Sequence, residues 1–189
     1  MGRQEQTNHL FSNRDLRILL VPLIVEQILN SLMGTADSIM VSNVGSAAIS
    51  AVSLVDSINI LVIQAFYALA AGGTIVCSQY IGQKDKKNAE ESARQVSFVV
   101  ACISSAVMAV CLLTRGPLLR LIFGSVEADV MEAAQTYFFY TALSFPFIAP
   151  YDAGSSIYRG QGNTRLPMTI AVVSNGLNIA RNAVLIWGL

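Results

Sequence analysis

Charge is the first thing this sequence is short of. Only 13% of its 189 residues are charged, against about 25% in an ordinary soluble domain. No charged residue stands between Asp56 and Lys84, or between Arg94 and Arg115. A soluble fold of this length cannot hide such stretches, because much of its surface must face water. Histidine is nearly absent: His9 alone, in a polar tail, excludes a histidine-based metal site or catalytic triad. The three cysteines, Cys77, Cys102 and Cys111, fall inside apolar runs without CxxC spacing, and read as small buried hydrophobes. Neither charge sign is in excess, with 12 basic and 12 acidic residues, so nothing marks a nucleic-acid partner. Disorder is excluded by the 53% hydrophobic content.

What is present is a series of long apolar runs, and runs of about 18 or more such residues read as membrane spans. Five are expected, at 16–41, 47–80, 96–114, 137–158 and 166–187. The fold class is therefore all-α, a polytopic transmembrane helix bundle with the lipid bilayer as its surroundings. Residues 1–15 form a polar tail, and the run after it is too long for a signal-peptide core, so it reads as a retained first span. Met1-Gly2 opens like a myristoylation signal, but Gln6 stands where Ser or Thr is needed.

Nine of the twelve basic residues fall in the N-terminal tail, at the inner end of the first span (Arg17) or in the loops on that side of the membrane; Arg115 and Arg120 fall opposite, and Arg181 lies within the fifth span. The positive-inside rule then places the N-terminus in the cytoplasm and the chain in the cell membrane. The turn 42–46 is short and outer, 82–92 is a charged inner linker, 115–135 an outer loop with an amphipathic stretch, and 160–165 a tight inner turn. Gly72-Gly73 is a candidate bend in the long second helix. Ser97, Ala101, Ser105 and Ala109, four apart, form a candidate packing face. An odd number of spans and an end directly after the last one suggest a fragment of a longer protein.

Polar residues inside the spans carry the functional reading, because a carboxylate at the bilayer centre costs about 2.5–3.5 kcal/mol on insertion scales. Taking Glu26 as zero, Asn30 falls at about 40° and Asp37 at about 20° around the first helix, a shared face that should point into the protein. In the fifth span Ser174, Asn175, Asn178 and Asn182 form one polar stripe. Asp37 and Asn182 lie at similar depth, so an acid and two amides offer oxygens for a cation or a site for a proton. Plainer readings stand beside these. Asp37 is satisfiable by Ser38 or local backbone, Glu26 by a packing hydrogen bond, and Asp56 by water near the outer surface. Asn178 and Asn182 suit interhelical bonding. Arg181 suits snorkelling to the interface, and Lys84–Lys87 a solvated loop.

The run Pro22-Leu-Ile-Val-Glu-Gln-Ile followed by Ala36-Asp37-Ser-Ile-Met-Val resembles the first helix of the multidrug and toxic compound extrusion (MATE) transporters. Ser78-Gln79-Tyr80-Ile81-Gly82 is similar to the end of that family's second helix, Gly160-Gln-Gly-Asn-Thr-Arg-Leu-Pro167-Met168 to its fourth inner loop, and Leu177-Asn178-Ile179 to its fifth helix. The resemblance covers nearly the whole chain from Leu16. It implies five spans of a six-helix N-terminal lobe over residues 16–189, with the sixth helix and the C-terminal lobe as the missing partner. It implies export of cationic or amphipathic small molecules in exchange for H+ or Na+, with no other cofactor and no enzymatic activity. Asp37 and Asn178 map onto the ion-coupling positions of one branch; Asn182 stands where that branch has a second acid. Na+ at Asp37 and Asn178 is the one metal the resemblance allows. Glu26, Asn30, Asp56 and Ser174 become cavity or substrate-facing residues, and Pro22 matches the proline that bends the first helix in some members.

Two other readings compete. A lipid-linked oligosaccharide flippase of the same superfamily predicts several cations lining the cavity, and only Arg181 lies within a span. A non-transporting membrane subunit suits a five-helix length.

Overall fold

The structure, a computed structural model, describes residues 13–42, 45–124 and 126–187, the side chains of 15, 37, 40, 41 and 182–187 excepted. The tail 1–12, the middle of the turn 42–46 and the last two residues lie outside the described part. Five helices follow one another: α1 Asn13–Ser42, α2 Ser46–Gly82, α3 Lys86–Phe123, α4 Ala128–Gly160 and α5 Arg165–Trp187. The long apolar runs dictate this outcome, since a helix satisfies its own backbone hydrogen bonds where lipid supplies none. Three stretches are long and apolar enough to cross a membrane among the described residues: Leu16–Ala36 in α1, α2 and α3. α4 is diluted by Asp152, Ser144, Ser155 and Ser156, and α5 by its asparagines.

The helix edges depart from the expectation. The outer loop expected over 115–135 is mostly helical: α3 runs through Gly116-Pro117 to Phe123, and α4 starts at Ala128. Packing explains the extension, because Leu119 and Val130 are buried in the core and hold both ends in place. The Arg115 guanidinium lies 5.3 Å from the centre of the Phe139 ring, a cation–π contact. At the inner side, α2 ends in a Schellman turn. Asp85 N–H donates to the Tyr80 carbonyl and Lys84 N–H to that of Ile81, both at 3.0 Å, with Lys84 left-handed at φ 59°. The Asp85 carboxylate then caps α3 through the Asn88 N–H.

The chain divides into two units, residues 34–161 and residues 1–33 with 162–189. In the first, α4 packs against both α2 and α3. Its buried residues Val130, Ala134, Phe138, Ala142, Phe145, Ala149 and Ala153 recur every three or four positions, so one stripe faces the core. α2 answers with Ala51, Val55, Asn59, Phe66, Ala70 and Cys77. Lipid supplies no hydrophobic drive between helices, so close packing of small residues carries the association. Phe66 and Phe145 fill the centre edge to face, ring centres 5.8 Å apart.

α2 runs unbroken through Gly72-Gly73. Gly73 is instead a point of close approach, where an added Cβ would meet both Val96 methyls of α3 at 2.5 Å. The four-residue stripe on α3 is also displaced. Ser97 and Ala101 are half-buried but Ser105 and Ala109 are exposed, while Val100, Ser104 and Cys111, one position round, are buried. A Val, Ser, Cys row presents more packing surface than a Ser, Ala row, and the helix turns it inward. Cys102 is exposed, against the expectation for all three cysteines; Cys77 and Cys111 are buried. The outward surface is apolar, with Leu113 at 85% and Leu121 at 84% exposure, as suits lipid.

In the second unit, Pro22 and Glu26 are buried one turn apart on α1, and Thr164, Pro167, Ala171 and Asn175 form a buried line at the start of α5. Pro22 has no N–H, so it cannot bond the carbonyl four residues back, that of Ile18. The buried Thr164 hydroxyl donates to that carbonyl at 3.5 Å.

Candidate functional site

In the unit 34–161, a mostly apolar pocket of about 290 Å³ with polar groups along part of its wall opens between α2 and α4. Asp56 and Asn59 stand three residues apart on α2, hence on neighbouring positions of one face. Asp56 Oδ1 accepts from the Tyr137 hydroxyl at 3.1 Å and from Asn59 Nδ2 at 3.5 Å. Asn59 is 8% exposed, and its Oδ1 has no partner among the described residues. Thr141 and Ser144 of α4 complete the polar wall, and Ile60 and Phe145 belong to the apolar one. Asp56 is thus half-buried and bonded across helices, where the plainer expectation put it in water.

In the other unit, the sequence-predicted residues divide by burial. The Glu26 carboxylate is buried, at 5% exposure. Asn30, expected to share its inward face, is exposed, as is Gln27. Each four-residue step turns about 40° around the helix, which carries Asn30 past the buried edge that Pro22 and Glu26 define. On α5, Asn178 is half-buried, Ser174 exposed and Arg181 exposed, while Asn175 is 5% exposed with its Nδ2 unpartnered among the described residues. Asp37 and Asn182 belong to α1 and α5, and their side chains lie outside the described part.

Sequence reasoning singled out Asp56 but missed Asn59 and Tyr137. The spacing of three between Asp56 and Asn59 was a readable signal. Tyr137 stands 81 positions away and carries none. Asn175 was visible as one of the amides on α5, yet the stripe was centred on Asn178.

The MatE family pattern matches residues 22–184. An uncharacterized transporter, YisQ of Bacillus subtilis, is 33% identical over 185 residues, covering 98% of this chain and 39% of that protein. A probable multidrug resistance protein, NorM of Thermotoga maritima, is 26% identical over 178 residues, covering 93% of this chain and 37% of its own length. Among solved structures, the outward-facing conformation of a multidrug resistance MATE family transporter of the MOP superfamily shares the fold. It has a TM-score of 0.85 at 23% identity, covering 92% of this chain and 38% of that one. The chain therefore spans about two fifths of the length of the relatives it matches. The family is one of membrane transporters and not an enzyme class. Helices built for lipid, acids and amides set into them, and a pattern match over most of the sequence agree: this chain belongs to the MatE family, that of the multidrug and toxic compound extrusion transporters.

Proposed function

We propose that this chain forms the first five helices of the N-terminal lobe of an antiporter in the cell membrane, its N-terminus cytoplasmic, exporting drugs or organic cations in exchange for H+ or Na+. The observation that carries this reading is the family match over residues 22–184, with relatives that include multidrug resistance proteins. Asp37 is the ion-coupling acid, with the Asn178 and Asn182 amides as its oxygen-bearing counterparts. Glu26, Asn30, Asp56 and Ser174 line the path of the substrate, and Pro22 lets α1 change its bend.

The driving force fits the task. A proton crossing 100 mV contributes about 2.3 kcal/mol, and one pH unit adds about 1.4 kcal/mol. Together, roughly 3.7 kcal/mol sustains a gradient of a few hundred-fold for a neutral drug. An ion drives transport only by favouring one conformation over the other. Neutralising Asp37 does this by removing its need for polar partners, which frees α1 to move. The chain spans about two fifths of its relatives' length, and alone it carries no exchange.

The test is Asp37→Asn in the full-length transporter that carries this segment. Ion-driven efflux of a cationic dye from vesicles should fall to background while the protein still inserts. Efflux at the unmutated rate would refute the assignment.

A further inference from the structure

The pocket between α2 and α4 has little hydrogen-bond donor capacity left: of these side chains only Asn59 Nδ2 keeps a second N–H. The Tyr137 hydroxyl and Asn59 Nδ2 both donate to Asp56 Oδ1. The Thr141 hydroxyl donates to the Phe138 carbonyl at 3.2 Å, and the Ser144 hydroxyl to the Thr141 carbonyl at 2.6 Å. What the wall has left is mainly oxygen. Asp56 takes both of its bonds on Oδ1, leaving Oδ2 unengaged among the described residues, and the nine-tenths-buried Asn59 has no partner for Oδ1. A buried carbonyl without a donor costs free energy comparable to a lost hydrogen bond. One formal negative charge and a set of neutral oxygens, in a cavity walled by Ile60 and Phe145, select for positive charge and against anions.

We propose that this pocket binds a monovalent cationic centre, held between the Asp56 carboxylate and Asn59 Oδ1. The single carboxylate sets the charge. Divalent ions such as Ca²⁺ take six to eight oxygens and commonly several carboxylates, and Asp56 is the one acid in this wall among the described residues. Sodium and the head of a primary alkylammonium share the required chemistry, the first as a hard cation for oxygen and the second as an N–H donor to the open Asp56 and Asn59 oxygens. This deepens the reading of Asp56 as a substrate-path residue and rests on it, but the binding is an equilibrium property that needs no gradient and no efflux.

The test uses the complete protein in nanodiscs, in an Asp37→Asn background so that the coupling acid proposed above does not contribute. Radioactive sodium binding is followed with choline as the bulk cation, then competed with butylammonium. Sodium should bind; Asp56→Asn should weaken it by about tenfold or more, roughly 1.4 kcal/mol, in protein that stays monodisperse. Competition by butylammonium would show that the site also takes an organic head, and its failure would assign the site to sodium; either supports the proposal. Asn59→Asp, adding a second carboxylate, should convert the site to one that binds Ca²⁺. The proposal is overturned if neither sodium nor butylammonium binds, if Asp56→Asn binds as tightly as its parent, or if folded Asn59→Asp gains no Ca²⁺ affinity.

Discussion

A proline inside a membrane helix sets a problem that a single hydroxyl can answer. Pro22 leaves the Ile18 carbonyl without its helical donor. The Thr164 hydroxyl, 146 positions later in the sequence, reaches that oxygen. Thr164→Val keeps the shape and removes the donor, so it should destabilise the protein by about 1 kcal/mol, with Thr164→Ser close to the parent. Thermal unfolding in detergent reads this difference; equal midpoints for the valine variant and the parent would contradict it. At this scale the sequence displayed its acids, amides and prolines plainly, because each is costly in an apolar run. It did not display which atoms would be left over. Asn59 Oδ1 and the Tyr137–Asp56 bond emerge only once α4 is laid beside α2.

Between helices, glycine positions fix how closely the backbones approach. Gly73 faces Val96, and Gly160 faces Thr74 and Ser78 of α2, each without room for a side chain. Gly73→Ala should cost about 1–3 kcal/mol by overpacking the α2–α3 contact. Val96→Ala in the same protein should return most of that loss, as a favourable coupling in a double-mutant cycle. Additive effects would show that the two residues do not meet. The number and order of helices were legible from the apolar runs, since lipid permits little else. Helix ends were less so: Pro117 and the charges from Arg115 onward read as a loop, yet Leu119, buried completely, keeps that segment helical. The packing row on α3 lies to one side of the small-residue stripe, because bulk at Val100 and Cys111 outweighs small size.

The molecule as a whole is a set of helices clothed in exposed leucines and isoleucines, matching about two fifths of the length of transporters in its family. Its buried carboxylate at Glu26 and half-buried one at Asp56 are expensive in lipid, a cost for which the antiport proposed above accounts. Coupling of this kind is reciprocal: if an ion gradient drives the drug, a drug gradient must drive the ion. The most direct test therefore loads vesicles holding the full-length transporter with an organic cation, sets H+ and Na+ equal on both sides, and follows each ion as the cation leaves. Vesicles with this five-helix chain alone serve as the baseline and should show no exchange. Counterflow of H+ or Na+ that disappears with Asp37→Asn is the predicted result; cation efflux with neither ion moving would contradict antiport.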